Sequence, residues 1–282
     1  IMSTPSLFVM KLLLYLLFFC SGVSGLIYEV VWVRGFGNVF GHTVFSTSLV
    51  MAVSILGLGV GGYVVGVWAD RRYAVGRASL LKTYAHFQLA IAALAVGVSV
   101  VLPYLSTVSA LASSYTRGAA GWYELSTFSY LDRGAIAVVL LMPITMLMGG
   151  TLTLLIRDLV RRDFELETRR IAILYSVNTA GAALGAYLTD FAIVPTMGLR
   201  GAETVAVLLN LVAAAGAWLI ASRAAPTDTR PPLVAPLPAD SRVVAFTSVA
   251  LALAGFAAMG MGILWFRHFT LLLGGFRAVF SL

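Results

Sequence analysis

Long uninterrupted apolar runs constrain this chain before any motif does. Seven of them, near 7 to 33, 43 to 69, 81 to 105, 134 to 156, 171 to 196, 202 to 222 and 243 to 266, approach or exceed the length that crosses a bilayer, which is about 20 residues of helix. The runs are continuously apolar rather than alternating, and only helices or closed barrels satisfy their own backbone in hydrocarbon, so each run is read as a helix. The expected fold class is all-α, a polytopic transmembrane bundle of about seven spans. Composition agrees: 60% of residues are hydrophobic and 11% charged, against about 25% charged in soluble domains. A soluble enzyme and a nucleic-acid-binding module are both excluded, the second despite a net charge of +7.

Basic residues orient the spans. Twelve Lys and Arg occupy the joints 70 to 82, 157 to 170 and 223 to 242, whereas the opposite joints carry only Arg34, Arg117, Arg133 and Arg200. The positive-inside rule then places the N-terminus in the cytoplasm, and the lipid bilayer expected is a bacterial-type cytoplasmic (inner) membrane. The domains expected are a six-helix transmembrane half over 1–222, a Pro-rich cytoplasmic linker over 223–242, and the first helix of a second repeat over 243–282. The long loop 106–132, with Tyr115, Trp122, Tyr123 and Tyr130, reads as a segment lying along the outer membrane surface.

The repeat rests on an internal alignment. At an offset of 233 residues, 21–49 matches 254–282 at Gly22, Trp32, Arg34, Phe36, Gly41, Ser48 and Leu49. Seven identities in 29 positions exceed the roughly two or three that so biased a composition gives by chance. Spans 1 and 7 also run the same way, as in transporters whose two six-helix halves are related by an axis along the membrane normal.

Gly57, Gly59 and Gly62 spell a dinucleotide fingerprint, but no strand precedes them and an apolar run surrounds them. The same region contains Gly57 with Gly61 and Gly62 with Gly66, spaced for close helix packing, as are Gly181 and Gly185. No cofactor is expected: Cys20 is the single cysteine, and His42, His86 and His268 are too scattered to suggest a metal site.

The motifs SGVSGLIYEVVWVR (21–34), GVWADRR (66–72), MGGTL (148–152), LYSVNTAGAALG (174–185) and PTMGLRG (195–201), in that order, resemble the membrane domain of spermidine synthase-like proteins, described as fused major-facilitator and spermidine synthase proteins. The resemblance covers most of 20 to 205. It implies a major-facilitator-like six-helix half plus the start of a second. Residues 66 to 77 also resemble the cytoplasmic motif between spans 2 and 3 of major-facilitator transporters. In the family a soluble aminopropyltransferase-like domain commonly follows the helices; these 282 residues contain none, so catalysis by this stretch alone is not expected.

Charges within the spans carry the functional reading, because a carboxylate in hydrocarbon is expensive and defaults to a functional role. Glu29 and Asp190 qualify, with Trp32, Arg34 and His42 nearby in the expected topology. Together they form a candidate site for a small organic cation such as a polyamine, held by charge and by the aromatic ring. Glu29 has a plainer reading as the partner of Arg34, and Asp190 as the partner of Arg200. Asp70, Arg71 and Arg72 are expected to form a helix-end network fixing spans 2 and 3, and Asn178 an interhelical hydrogen bond. Two function classes follow: a membrane domain that binds or moves a cation or anchors a soluble partner, and an accessory subunit packed among other membrane subunits.

Overall fold

Each apolar run folds as a helix. The structure, a computed structural model, describes residues 4–41, 44–74, 80–112, 114–117, 123–159, 164–223 and 241–273. The helices are α1 (Thr4–Phe40), α2 (Val44–Ala74), α3 (Leu80–Ala112), α4 (Thr127–Leu159), α5 (Phe164–Leu188), α6 (Val194–Arg223) and α7 (Ser241–Leu273). A π-helical turn, Thr189–Ile193, joins α5 to α6.

Six continuous helical stretches among the described residues are long and apolar enough to cross a membrane: Leu12–Phe40, Val44–Arg71, Leu80–Thr107, Thr127–Asp158, Arg169–Arg223 and Ser241–Phe269. The chain is a multi-pass membrane protein. The count is six rather than the seven read from sequence because α5 and α6 run on without a loop. That stretch is 55 residues long, about 80 Å if straight, against a hydrocarbon core of about 30 Å. It is not straight. Gly198 takes φ 72° and ψ −177°, a conformation open to glycine and poor for other residues, and the helix breaks there.

The packing on either side shows the chain doubling back. Along α5, Asn178 lies at Phe18, Gly185 at Val23 and Asp190 at Arg34, so α5 runs parallel to α1. Along α6, Asn210 lies at Ser24 and Gly216 at Leu17, so α6 runs back. The same logic places all six helices of this unit in alternating directions. One apolar cluster gathers Phe36, Phe40, Val50, Leu105 and Ala137. The other, at the opposite end, gathers Leu14, Ala69, Leu80, Leu154, Leu174 and Ile220. Arg34 and Arg71 therefore lie toward opposite ends of the bundle.

Lipid tails are as apolar as leucine, so close packing and hydrogen bonds hold such a bundle rather than the hydrophobic effect. The glycines supply that packing. A Cβ built at Gly61 would fall onto the backbone of Met146, and one at Gly149 onto that of Leu58, which pins α2 to α4. Gly181 and Gly185 meet the carbonyls of Phe19 and Val23 in the same way and pin α5 to α1. The dinucleotide pattern is thus a set of positions inside α2, two of whose neighbouring glycines are covered by α4.

The connection from α3 to α4 differs from the surface segment expected. α3 continues to Ala112, and a short antiparallel hairpin follows, Tyr115–Arg117 paired with Tyr123–Leu125. Ser114, Ser126 and Ser129 tie its base to α4, with the Ser114 amide donating to Ser129 Oγ at 2.8 Å and the Ser126 amide to the Ser114 carbonyl at 2.9 Å. Trp122 lies outside the described residues.

The chain divides into two units, 1–227 and 228–280. The second contains α7, a single 33-residue helix. Of the expected Pro-rich linker, residues 224–240 lie outside the described residues, as do 274–282 of the second repeat copy.

Candidate functional site

Several interhelical polar contacts of the first unit end on α1. Toward its C-terminal end the Arg34 guanidinium donates to the Asp190 carboxylate. Asp190 is buried, 6% exposed, and it sits in the first turn of the π-helical segment. The wider π turn carries one extra residue, a device common at functional positions. Thr189, beside it, donates back to the Gly185 carbonyl at 2.6 Å. This pairing corrects two expectations at once. Asp190 is engaged by Arg34 rather than Arg200, and Arg34 is therefore committed to Asp190 rather than to Glu29.

Among the described residues Glu29 has no counter-ion. No ion pair or hydrogen bond reaches it from any described residue, and its side chain is only half-buried. The span Leu12–Phe40 puts Glu29 roughly 5 Å past the midpoint of the helix, deeper than a span ending near residue 33 implies. One turn earlier on the same face, Gly25 has nothing within 4 Å of the position a Cβ would occupy. One turn before that, Gly22 packs on Asn178. Glu29 thus lies one turn beyond an uncovered glycine of α1, with α5 packed against the turn below at Gly22.

Trp32 is turned into the core. It is 2% exposed and stacks on Tyr28, with ring centroids 5.5 Å apart and planes 13° from parallel. Buried and stacked, the ring is interior packing rather than a platform for a cation. His42 lies outside the described residues.

A second polar chain crosses the interior between α1 and α6. Ser24 Oγ donates to Asn210 Oδ1 at 2.5 Å, and Asn210 Nδ2 reaches the Tyr28 hydroxyl at 3.4 Å. Gln88 Nε2 on α3 donates to Ser21 Oγ at 2.7 Å. Asn178 Nδ2 donates to the Phe18 carbonyl at 3.2 Å, the interhelical bond that sequence suggests. At the end of α1 the buried Arg133 of α4 donates to the Phe40 carbonyl at 3.0 Å and lies over the Phe40 ring. It supplies a cap to the C-terminal carbonyls, which helix ends leave unmet.

The helix-end network at the other end of the bundle links different helices from those expected. Asp70 is held by Arg157 of α4 through two contacts, 2.5 and 2.7 Å, so it joins spans 2 and 4 rather than 2 and 3. The reason is the glycine packing above, which brings α2 against α4 along their length. Arg71 takes no part in that pair, and the side chain of Arg72 lies outside the described residues.

One further carboxylate is organised by the fold: Glu203 of α6 is 6% exposed, and Ser99 Oγ of α3 donates to its Oε2. Only the pairing of α3 with α6 reveals this. Among the described residues no group of three or more His, Cys, Asp or Glu could hold a metal.

Comparison with family models, curated proteins and solved structures finds no match.

Proposed function

We propose that this bundle is the membrane domain of a spermidine synthase-like protein that binds or moves a small organic cation of the polyamine class, with Glu29 as its point of attachment. In this reading the membrane is a bacterial-type inner membrane, and the basic-residue count supports a cytoplasmic N-terminus. One observation carries the reading: Glu29 is a carboxylate near mid-span that no described residue neutralises, while its nearest arginine is committed to Asp190. An unneutralised carboxylate at such depth costs about 3 kcal/mol or more. A ligand ammonium reaching Glu29 past the uncovered Gly25 would relieve that cost.

The cation site is therefore narrower than the cluster of Glu29, Trp32, Arg34, His42 and Asp190 first considered. Arg34 and Asp190 neutralise each other and supply no net charge, and Trp32 packs in the core. The test is spermidine binding to the purified full chain in nanodiscs. Glu29→Gln is expected to weaken affinity about ten-fold or more, as loss of one charge-assisted contact does. An unaltered affinity in Glu29→Gln, or no binding by the wild type, would sink the reading.

A second reading, an accessory subunit of a larger membrane complex, is favoured by Gly25 and Gly59. Both are helix glycines with nothing within 4 Å of a Cβ, open to the close approach of another helix. A wild-type chain that migrates as a single copy without companions in native mass spectrometry from its own membrane counts against that alternative.

A further inference from the structure

A groove of about 580 Å³ lies between α3 and α6 toward the Arg34 end of the bundle, lined by Ser99, Tyr104, Arg200, Glu203 and, deeper in the span, by Val96 and Val207. Sites of this volume hold small organic ligands. We infer that it binds a phospholipid whose headgroup carries a primary ammonium beside a phosphate, with the ammonium at Glu203, the phosphate at Arg200 and an acyl chain along the valines. The site is separate from Glu29 and stands whether or not that reading holds.

The charge arrangement selects a dipolar headgroup. Glu203 lines the groove as a buried carboxylate; Ser99 satisfies one of its oxygens, and the other, Oε1, finds no hydrogen-bond donor among the described residues. A buried acceptor left unmet costs about 1–3 kcal/mol, more when charged. Arg200, one turn earlier on α6, is exposed and makes no ion pair among the described residues. A simple cation entering the groove meets repulsion from Arg200, and a simple anion meets repulsion from Glu203. A zwitterion with its positive end inward and its phosphate at the rim meets attraction from both.

The walls select a lipid over a free headgroup. Val96 and Val100 on α3 are 45% and 61% exposed, on the span side of Pro103 and Tyr104, and on α6 Val207 lies likewise inward of Arg200. The groove thus continues from charged rim to apolar slot in the direction an acyl chain takes. Glu203 also separates headgroups. A primary ammonium offers N–H donors to a carboxylate, and the trimethylammonium of choline offers none.

Lipid retention by the full chain, measured by native mass spectrometry from mixed micelles of phosphatidylethanolamine and phosphatidylcholine, tests the assignment. Wild type is expected to retain the ethanolamine lipid about ten-fold over the choline lipid. Glu203→Gln brings that ratio close to one. Arg200→Gln, at an exposed position that does not threaten the fold, weakens retention of both lipids and leaves their ratio unchanged. Equal retention by the wild type overturns the inference, as does unchanged retention in Arg200→Gln even if Glu203→Gln does not fold. Competition by soluble phosphoethanolamine at lipid-equivalent concentration also overturns it, because it makes the ligand a small molecule rather than a lipid.

Discussion

An arginine and an aspartate that neutralise each other inside a bundle are hard to remove one at a time. Asp190→Asn strands the Arg34 charge in a partly buried site, and breaking a buried pair from one side typically costs about 3–5 kcal/mol. We expect the single variants Asp190→Asn and Arg34→Gln each to lower the thermal midpoint in detergent, and the double variant to recover much of the loss. Additive losses in the double variant would show that the two charges do not act as a pair. At Glu29 the sign is opposite: with no partner to strand, Glu29→Gln is expected to leave the midpoint unchanged or raise it while weakening cation binding, so thermal stability and affinity move apart. These charges were legible in the sequence as intramembrane residues, but their partners were not. Glu29 lies five residues from Arg34 along one helix, while Asp190 is 156 residues away. Sequence proximity favours the first pair; the parallel packing of α5 on α1 decides for the second.

Elements meet here through glycine, and the consequences are graded by what each glycine touches. Gly61→Leu drives a side chain into the backbone of Met146 and is expected to separate α2 from α4. Gly59→Ala, two residues earlier, meets nothing within 4 Å and should be silent or slightly stabilising, since alanine is the better helix former by about 1 kcal/mol. Melting curves of the two variants check the contrast; equal losses would mean that glycine spacing matters only through helix propensity. Gly198→Ala forces a side chain into a positive-φ backbone, at a cost of about 1–2 kcal/mol. The spacing of Gly57, Gly61, Gly181 and Gly185 announced close packing in the sequence. It did not say which helix each would meet, nor that Asp70 would answer to Arg157 on α4. Nor did it show the π turn at Thr189–Ile193, whose extra residue has no local sequence mark and which holds the Asp190 that pairs with Arg34.

For the whole molecule, alternation of the helices predicts sidedness. In a Cys20→Ser background, cysteines placed at Asp70 and at Ser126 are expected to react with an impermeant thiol reagent from opposite sides of the membrane. Labelling from one side would overturn the helix order. The apolar runs, the positions of their breaks and the asymmetry of basic residues were set by the sequence itself, because hydrocarbon demands an internally bonded helix of a given length wherever the chain crosses, whatever its neighbours. Which helices touch, which charges neutralise each other and which carboxylate remains open were decided only in three dimensions. Lipid offers no hydrophobic gradient between helices to favour one neighbour over another. The choice falls to contacts between residues far apart in the chain: carbonyl against glycine, arginine against aspartate, serine against glutamate.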